Sequence, residues 1–185
     1  MSDPVLGAGG VAVTVGAATM FGVPTIVLIL ATLTSGLVAG VYVFYAHTVM
    51  PGLGRAGDRT FVAGFQALDR AIVNPWFMVS AFLGAPVLAA VAALLHVGDA
   101  SRGVLLWVVV SLVLDLVTVG ITVGINVPAN NRLKAAGDVD AIDIVAARAE
   151  FDEGRWTRWN LVRVVLSMVA FAALLWALVL AGRLG

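Results

Sequence analysis

The chain has 185 residues, of which 61% are hydrophobic and 12% charged, with no cysteine and a formal net charge of zero. Soluble domains carry about 25% charged residues, so a mean hydropathy of +1.04 excludes a soluble globular domain. The missing cysteines exclude disulfides, thiolate metal sites and cysteine nucleophiles, and the neutral charge balance argues against a general nucleic-acid binder.

In chain order, residues 1–22 are rich in Gly, Ala and Val and contain no Lys or Arg. They read as a flexible tail without the basic start of a signal peptide. Residues 23–182 read as one transmembrane domain. Its four apolar stretches, about 23–49, 75–95, 104–127 and 159–180, each approach or exceed the ~20 residues that cross a bilayer as a helix. The expected fold is all-α, an integral membrane four-helix bundle with two short amphipathic helices in the long loops.

The first span carries Gly36, Gly40, Val43 and His47 at spacings of four, three and four, which place them on one helical face. Its Gly-xxx-Gly pair suits close helix approach within the protein or in a homo-oligomer. Pro51 is expected to stop that helix. In the first long loop, Asp58 is the expected cap of a helix carrying Phe61, Phe65, Leu68 and Ile72 on one face. In the other, Asp140 is the expected cap of a helix through Ile142, Val145 and Ala149 that Gly154 stops. Both helices are expected to lie on the membrane or over the bundle mouth.

The long loops hold most of the arginines, among them Arg55, Arg59, Arg70, Arg132, Arg148, Arg155 and Arg158. The positive-inside rule then puts these loops in the cytoplasm and both termini outside. The expected location is a bacterial plasma membrane.

Up-and-down connectivity brings four span ends to the long-loop face. The polar residues concentrate there: His47, then Arg70 and Asn74, then Asn126 and Asn130, then Trp156, Trp159, Asn160 and Arg163. Carboxamides and guanidinium groups are costly in hydrocarbon unless paired, so they are expected to turn inward as one polar pocket. Each also has a plainer reading. His47 suits an interfacial hydrogen bond, Asn74 a cap ahead of Pro75, the tryptophans an aromatic belt and Arg163 snorkelling.

Asp115 lies mid-span on a stripe with Ser111, Thr118, Thr122 and Asn126. At ~1.5 Å per residue it is roughly 17 Å below Asn126, level with Thr32 and Ser35. The favoured reading is a protonated Asp bonded to those hydroxyls, holding two helices in register. No His-Glu-x-x-His, carboxylate cluster or phosphate-binding glycine loop is present, so no metal or nucleotide site is expected.

Three motifs carry a resemblance. The His47 ending of span one, Asn126-Val-Pro-Ala-Asn130 leaving span three, and Trp156-x-x-Trp159-Asn160-x-x-Arg163 opening span four resemble the anthrone oxygenase-like family of membrane proteins. The resemblance runs over about residues 25–180. It implies oxidation of an anthrone-type methylene to a carbonyl by O₂, with no assigned cofactor.

Combined with the polar mouth, the resemblance implies His47 as base and Asn126, Asn130, Asn160 and Arg163 as oxyanion stabilisers. Trp156, Trp159 and Tyr45 would line a ring slot, with Arg70 and Asn74 near the substrate. The competing reading is a non-enzymatic protein that binds a lipid or quinone, or a subunit of a larger membrane complex. A transporter is disfavoured, because internal repeats and broken midplane helices are lacking.

Overall fold

The computed structural model describes residues 22–184, so the expected tail, apart from Gly22, lies outside the described residues. The helices are α1 (Val23–Gly54), α2 (Asp58–Ile72), α3 (Pro75–Leu95), α4 (Arg102–Ala135), α5 (Ile144–Phe151) and α6 (Glu153–Ala181). The described part is all-helical. It holds four helices long and apolar enough to cross a membrane, if α5 and α6 are taken as one run broken at Asp152.

The helix starts follow local chemistry. Asn74 Oδ1 accepts the Phe77 N–H at 2.9 Å, with Pro75 in the first helical position. Asp143 caps α5 by accepting from Ala146 N at 3.0 Å. Asp152 takes a left-handed conformation (φ 52°) and accepts from Arg155 N at 3.0 Å. It therefore ends one helix and caps the next.

The expected caps act elsewhere. Asp58 is the first residue of α2, after Gly57 in the cap position, and its carboxylate holds Arg148 at 2.8 Å. Asp140 pairs with Arg59. Gly154 lies in the first turn of α6 and stops nothing. The buried side of α5 is Ala147 and Phe151, whereas Val145 is 67% exposed.

Prolines expected to end helices do not. α1 continues through Pro51 and α4 through Pro128. In both, a π turn comes just before: Tyr45–Val49 ahead of Pro51 and Thr122–Asn126 ahead of Pro128. A third, Met78–Phe82, precedes Pro86 in α3. Proline lacks an N–H and its ring presses on the carbonyl four residues back. A widened turn moves that carbonyl aside, so the helix continues.

Around the bundle the order is α1, α6, α4, α3. At the short-turn end the core is small and apolar, built on Leu28, Ala31, Ala92, Val104, Val108 and Leu174. Alanines let the helices approach closely where lipid supplies no hydrophobic drive between them. At the other end α2 and α5 fold over the bundle as a lid.

Phe61, Phe65 and Phe151 of the lid pack on Leu133 and Trp156. The Phe65 ring centroid lies 4.6 Å from that of Phe151 and 5.5 Å from that of Trp156. Each such burial contributes about 1.5–3 kcal/mol. Arg148 ties the lid down, reaching Asp58 and Glu153 at 2.8 Å and the Gly54 and Ala56 carbonyls at 3.2 Å.

Candidate functional site

Beneath the lid is a cavity of about 340 Å³, within the range that takes a drug-sized ligand. Its lower walls are apolar: Val41 from α1, Phe77, Met78 and Phe82 from α3, and Val123 and Val127 from α4. Its upper end is polar and aromatic, with Tyr45, Asp69, Asn130, Lys134 and Trp156, and Arg163 lies deeper, at the level of Thr122.

Two hydrogen-bond networks hold these polar groups. In the first, the Trp156 indole N–H donates to Asn130 Oδ1 at 2.8 Å, and Asn130 Nδ2 donates to Asp69 Oδ1 at 2.7 Å. Lys134 Nζ then lies 2.6 Å from Asp69 Oδ2. In the second, the Arg163 guanidinium donates to Asn160 Oδ1 at 2.8 Å and to Thr122 Oγ1 at 3.2 Å. Asn160 Nδ2 donates to the Tyr42 carbonyl at 3.2 Å, and the Tyr42 and Thr122 hydroxyls lie 3.4 Å apart.

Charge decides what they can do. Asp69 and Lys134 neutralise one another. Arg163 is only 5% exposed and forms no ion pair among the described residues. A buried, uncompensated cation costs several kcal/mol. The faces of Tyr42 (4.5 Å from the guanidinium carbon to the ring centroid) and Trp156 (5.4 Å) offset part of that cost. The cavity therefore carries one unmatched positive charge beside an apolar slot.

The structure redistributes the expected site residues. Tyr45, Asn130, Trp156, Asn160 and Arg163 meet at the cavity. Asn126 is buried just behind it. Its Nδ2 donates to the Trp156 carbonyl at 3.4 Å and its Oδ1 lacks a partner. Asn126, Asn130 and Asn160 each give one amide N–H to a protein acceptor, which fixes their orientation and that of their neighbours. Trp159 is half-buried and off the cavity. Arg70 is exposed and donates to Gln66 Oε1 at 3.4 Å. Asn74 is the α3 cap.

His47 is the main correction. It is exposed and does not line the cavity. The buried face of α1 is Leu28, Thr32, Ser35, Val38 and Tyr42, not the glycine stripe. Residues two apart on a helix point to nearly opposite sides, so Tyr45 and His47 cannot share one cavity. Gly36 does meet a neighbour, since a Cβ there would lie 3.0 Å from the Phe171 ring, while Gly40 is open.

Asp115 is 5% exposed, but neither expected partner bonds to it. Thr32 donates to its own helix at Leu28 O, and Ser35 Oγ and Asp115 Oδ2 have no partner. No polar tie between α1 and α4 forms at that level.

Residues that the sequence did not assign to the site complete the cavity: Tyr42, Phe65, Asp69, Thr122 and Lys134. Asp69 was hidden by its neighbours. Spacings of four join Gln66, Arg70 and Asn74, but the buried face of α2 runs Phe61, Val62, Phe65, Gln66 and Asp69. Among the described residues no cluster of three or more His, Asp or Glu could hold a metal ion.

The family model for anthrone oxygenase matches residues 75–173. The chain belongs to the anthrone oxygenase family. No curated protein and no solved structure gives a match. The matched part of this anthrone oxygenase-family protein includes Thr122, Asn130, Trp156, Asn160 and Arg163, whereas Tyr42, Tyr45 and Asp69 come from the chain before it.

Proposed function

We propose that this protein is a membrane-embedded oxygenase that oxidises a flat, hydrophobic anthrone- or hydroquinone-type substrate with O₂ and without a cofactor. The observation that carries the reading is Arg163, a buried guanidinium without a carboxylate partner on the wall of a largely apolar cavity. An anthrone that loses a methylene proton becomes an aromatic phenolate-like anion. Arg163 is placed to hold that oxygen, and Asn160 and Thr122 fix its orientation. Tyr45, Phe65 and Trp156 supply the faces of a ring slot.

The proton acceptor in this reading is Asp69, the only carboxylate on the cavity lining among the described residues. It takes over the role that the sequence suggested for His47. In the balanced reaction the methylene carbon loses a proton to Asp69, its carbanion is oxidised by O₂ to a peroxide anion that takes the proton back as a hydroperoxide, and loss of water leaves the ketone. One O₂ is consumed and one water released for each carbonyl formed.

The test is O₂ uptake by purified protein given a hydroxyanthrone. Uptake that disappears in Arg163→Ala supports the reading. A parent protein that binds the compound but consumes no O₂ supports the second reading, a quinone or lipid binder. The engagement of Asp69 by both Lys134 and Asn130 favours that second reading.

The proposed setting is a bacterial plasma membrane with the lid in the cytoplasm and both termini outside. Self-association would run along the Gly40 face, which is open.

A further inference from the structure

We propose that the cavity is filled sideways from the bilayer, through a gap between the start of α3 and the end of α4, and takes a membrane-dissolved apolar molecule with one polar end. The proposal does not depend on the reaction, since it holds equally for an oxygenase substrate or a bound quinone.

The aqueous side is shut. Phe61, Phe65, Phe151 and Trp156 are each at most 4% exposed and lie over the cavity. α2 is sewn to α4 across the top by Gln66 Nε2 donating to Leu133 O at 2.8 Å and by the Asp69–Lys134 pair. Arg148 fastens α5 to both α2 and the end of α1.

The lateral side is open. A residue that lines a cavity while staying exposed marks its rim. On α4 these residues are Val123 (58% exposed), Val127 (37%) and Asn131, successive turns on one face. Across the gap is Val73 (59%), with Phe77 just inside.

The gap exists because α3 splays. Its far end packs on α4 through Ala92, Val104 and Val108. Its start instead rests on α1, where Phe77 and Ala85 meet Val38 and Tyr42. The Met78–Phe82 π turn sits at the point of divergence.

The rim also grades in polarity. Val123 and Val127 lie toward the hydrocarbon, and Asn131 and then Lys134 toward the interface. A molecule lying in the acyl region with its polar end near the headgroups meets an opening graded in the same sense. Sliding inward keeps its polar end level with Asn131 and Lys134, sets its rings against the aromatic slot, and brings its deeper part to Arg163, which is bonded to Thr122 at the hydrocarbon-side end of the rim.

The chain has no cysteine, so one introduced thiol reports access cleanly. Val41 is half-buried and lines the apolar wall. In proteoliposomes, Val41→Cys is labelled with N-phenylmaleimide dissolved in the bilayer or with a charged, membrane-impermeant methanethiosulfonate. The expected result is that the lipid-dissolved reagent is faster relative to its rate on a free thiol in the same vesicles. Adding Val127→Trp should slow it by about tenfold, ~1.4 kcal/mol of barrier. Val123→Trp closes the same rim if the first variant fails to fold. A rate unchanged by either rim variant, or a charged reagent that is relatively faster, overturns the proposal.

Discussion

Arg163→Met separates a functional guanidinium from a structural one. Methionine keeps much of the length and apolar stem and removes the charge. In the folded protein Arg163 makes two side-chain hydrogen bonds, to Asn160 at 2.8 Å and Thr122 at 3.2 Å, and lies against two aromatic faces. Hydrogen bonds to a charged group contribute about 1.5–3 kcal/mol each. Against them stands a desolvation penalty of several kcal/mol for a buried cation without a counter-charge, and its Nε has no partner. These terms nearly cancel, which leaves the buried Asn160 Oδ1 without its donor as the main cost, so the variant is expected to lose about 1–3 kcal/mol of stability in detergent.

Ligand binding has no such cancellation. An oxyanion that meets Arg163 supplies the missing negative charge and one or two charge-assisted bonds. Losing them should weaken binding by about 3–4 kcal/mol, or roughly 10²–10³-fold in Kd. The assay pairs thermal unfolding with equilibrium binding of an ionised hydroxyanthrone, with a neutral, oxygen-free tricyclic hydrocarbon as control. The control should bind equally to both proteins. A variant destabilised by several kcal/mol with an unchanged Kd for the anion would refute the reasoning and make Arg163 a structural cation.

Four further outcomes are expected. His47→Gln should leave turnover at the parent value in the O₂-uptake assay, because residue 47 is exposed and off the cavity; a loss of activity would restore the imidazole as base. Asp69→Asn should lower turnover by about 10²-fold or more with little change in hydroxyanthrone Kd, and equal loss of both would show that the carboxylate only ties α2 to Lys134. Gly36→Ala should lower the melting temperature, because its new methyl would press on the Phe171 ring at 3.0 Å and overpacking costs about 1–3 kcal/mol. Gly40→Ala meets open space and should leave the monomer's melting temperature unchanged or raised, lowering only self-association measured by crosslinking.

The architecture was legible because its signal is coarse. Four long apolar runs mark spans whatever their exact ends, and the Phe61–Phe65 spacing marks the lid helix. The convergence of Asn130, Trp156, Asn160 and Arg163 was legible too, since buried polar groups in lipid have few places to go. What failed was the choice of face within a helix. Glycines drew attention to the Gly36–Gly40–His47 stripe, although Thr32, Ser35 and Tyr42 mark the true inner face of α1. Asp69 was illegible for a different reason. Its partner Lys134 is 65 residues away on a helix that was expected to end before Pro128.

That last miss leads to how the cavity arises. The three π turns, at Tyr45–Val49, Met78–Phe82 and Thr122–Asn126, belong to three different spans, and each contributes residues to the cavity wall. Each lets a helix run on toward or past a proline that would otherwise end or kink it. For α4 the extra length carries Asn130, Asn131 and Lys134 to the polar end. For α3 it comes where the helix leaves α4 and opens the lateral gap. The prolines therefore do not end the spans. They set the level at which the bundle widens, and Arg163, a buried cation with no ion pair among the described residues, is placed at that level.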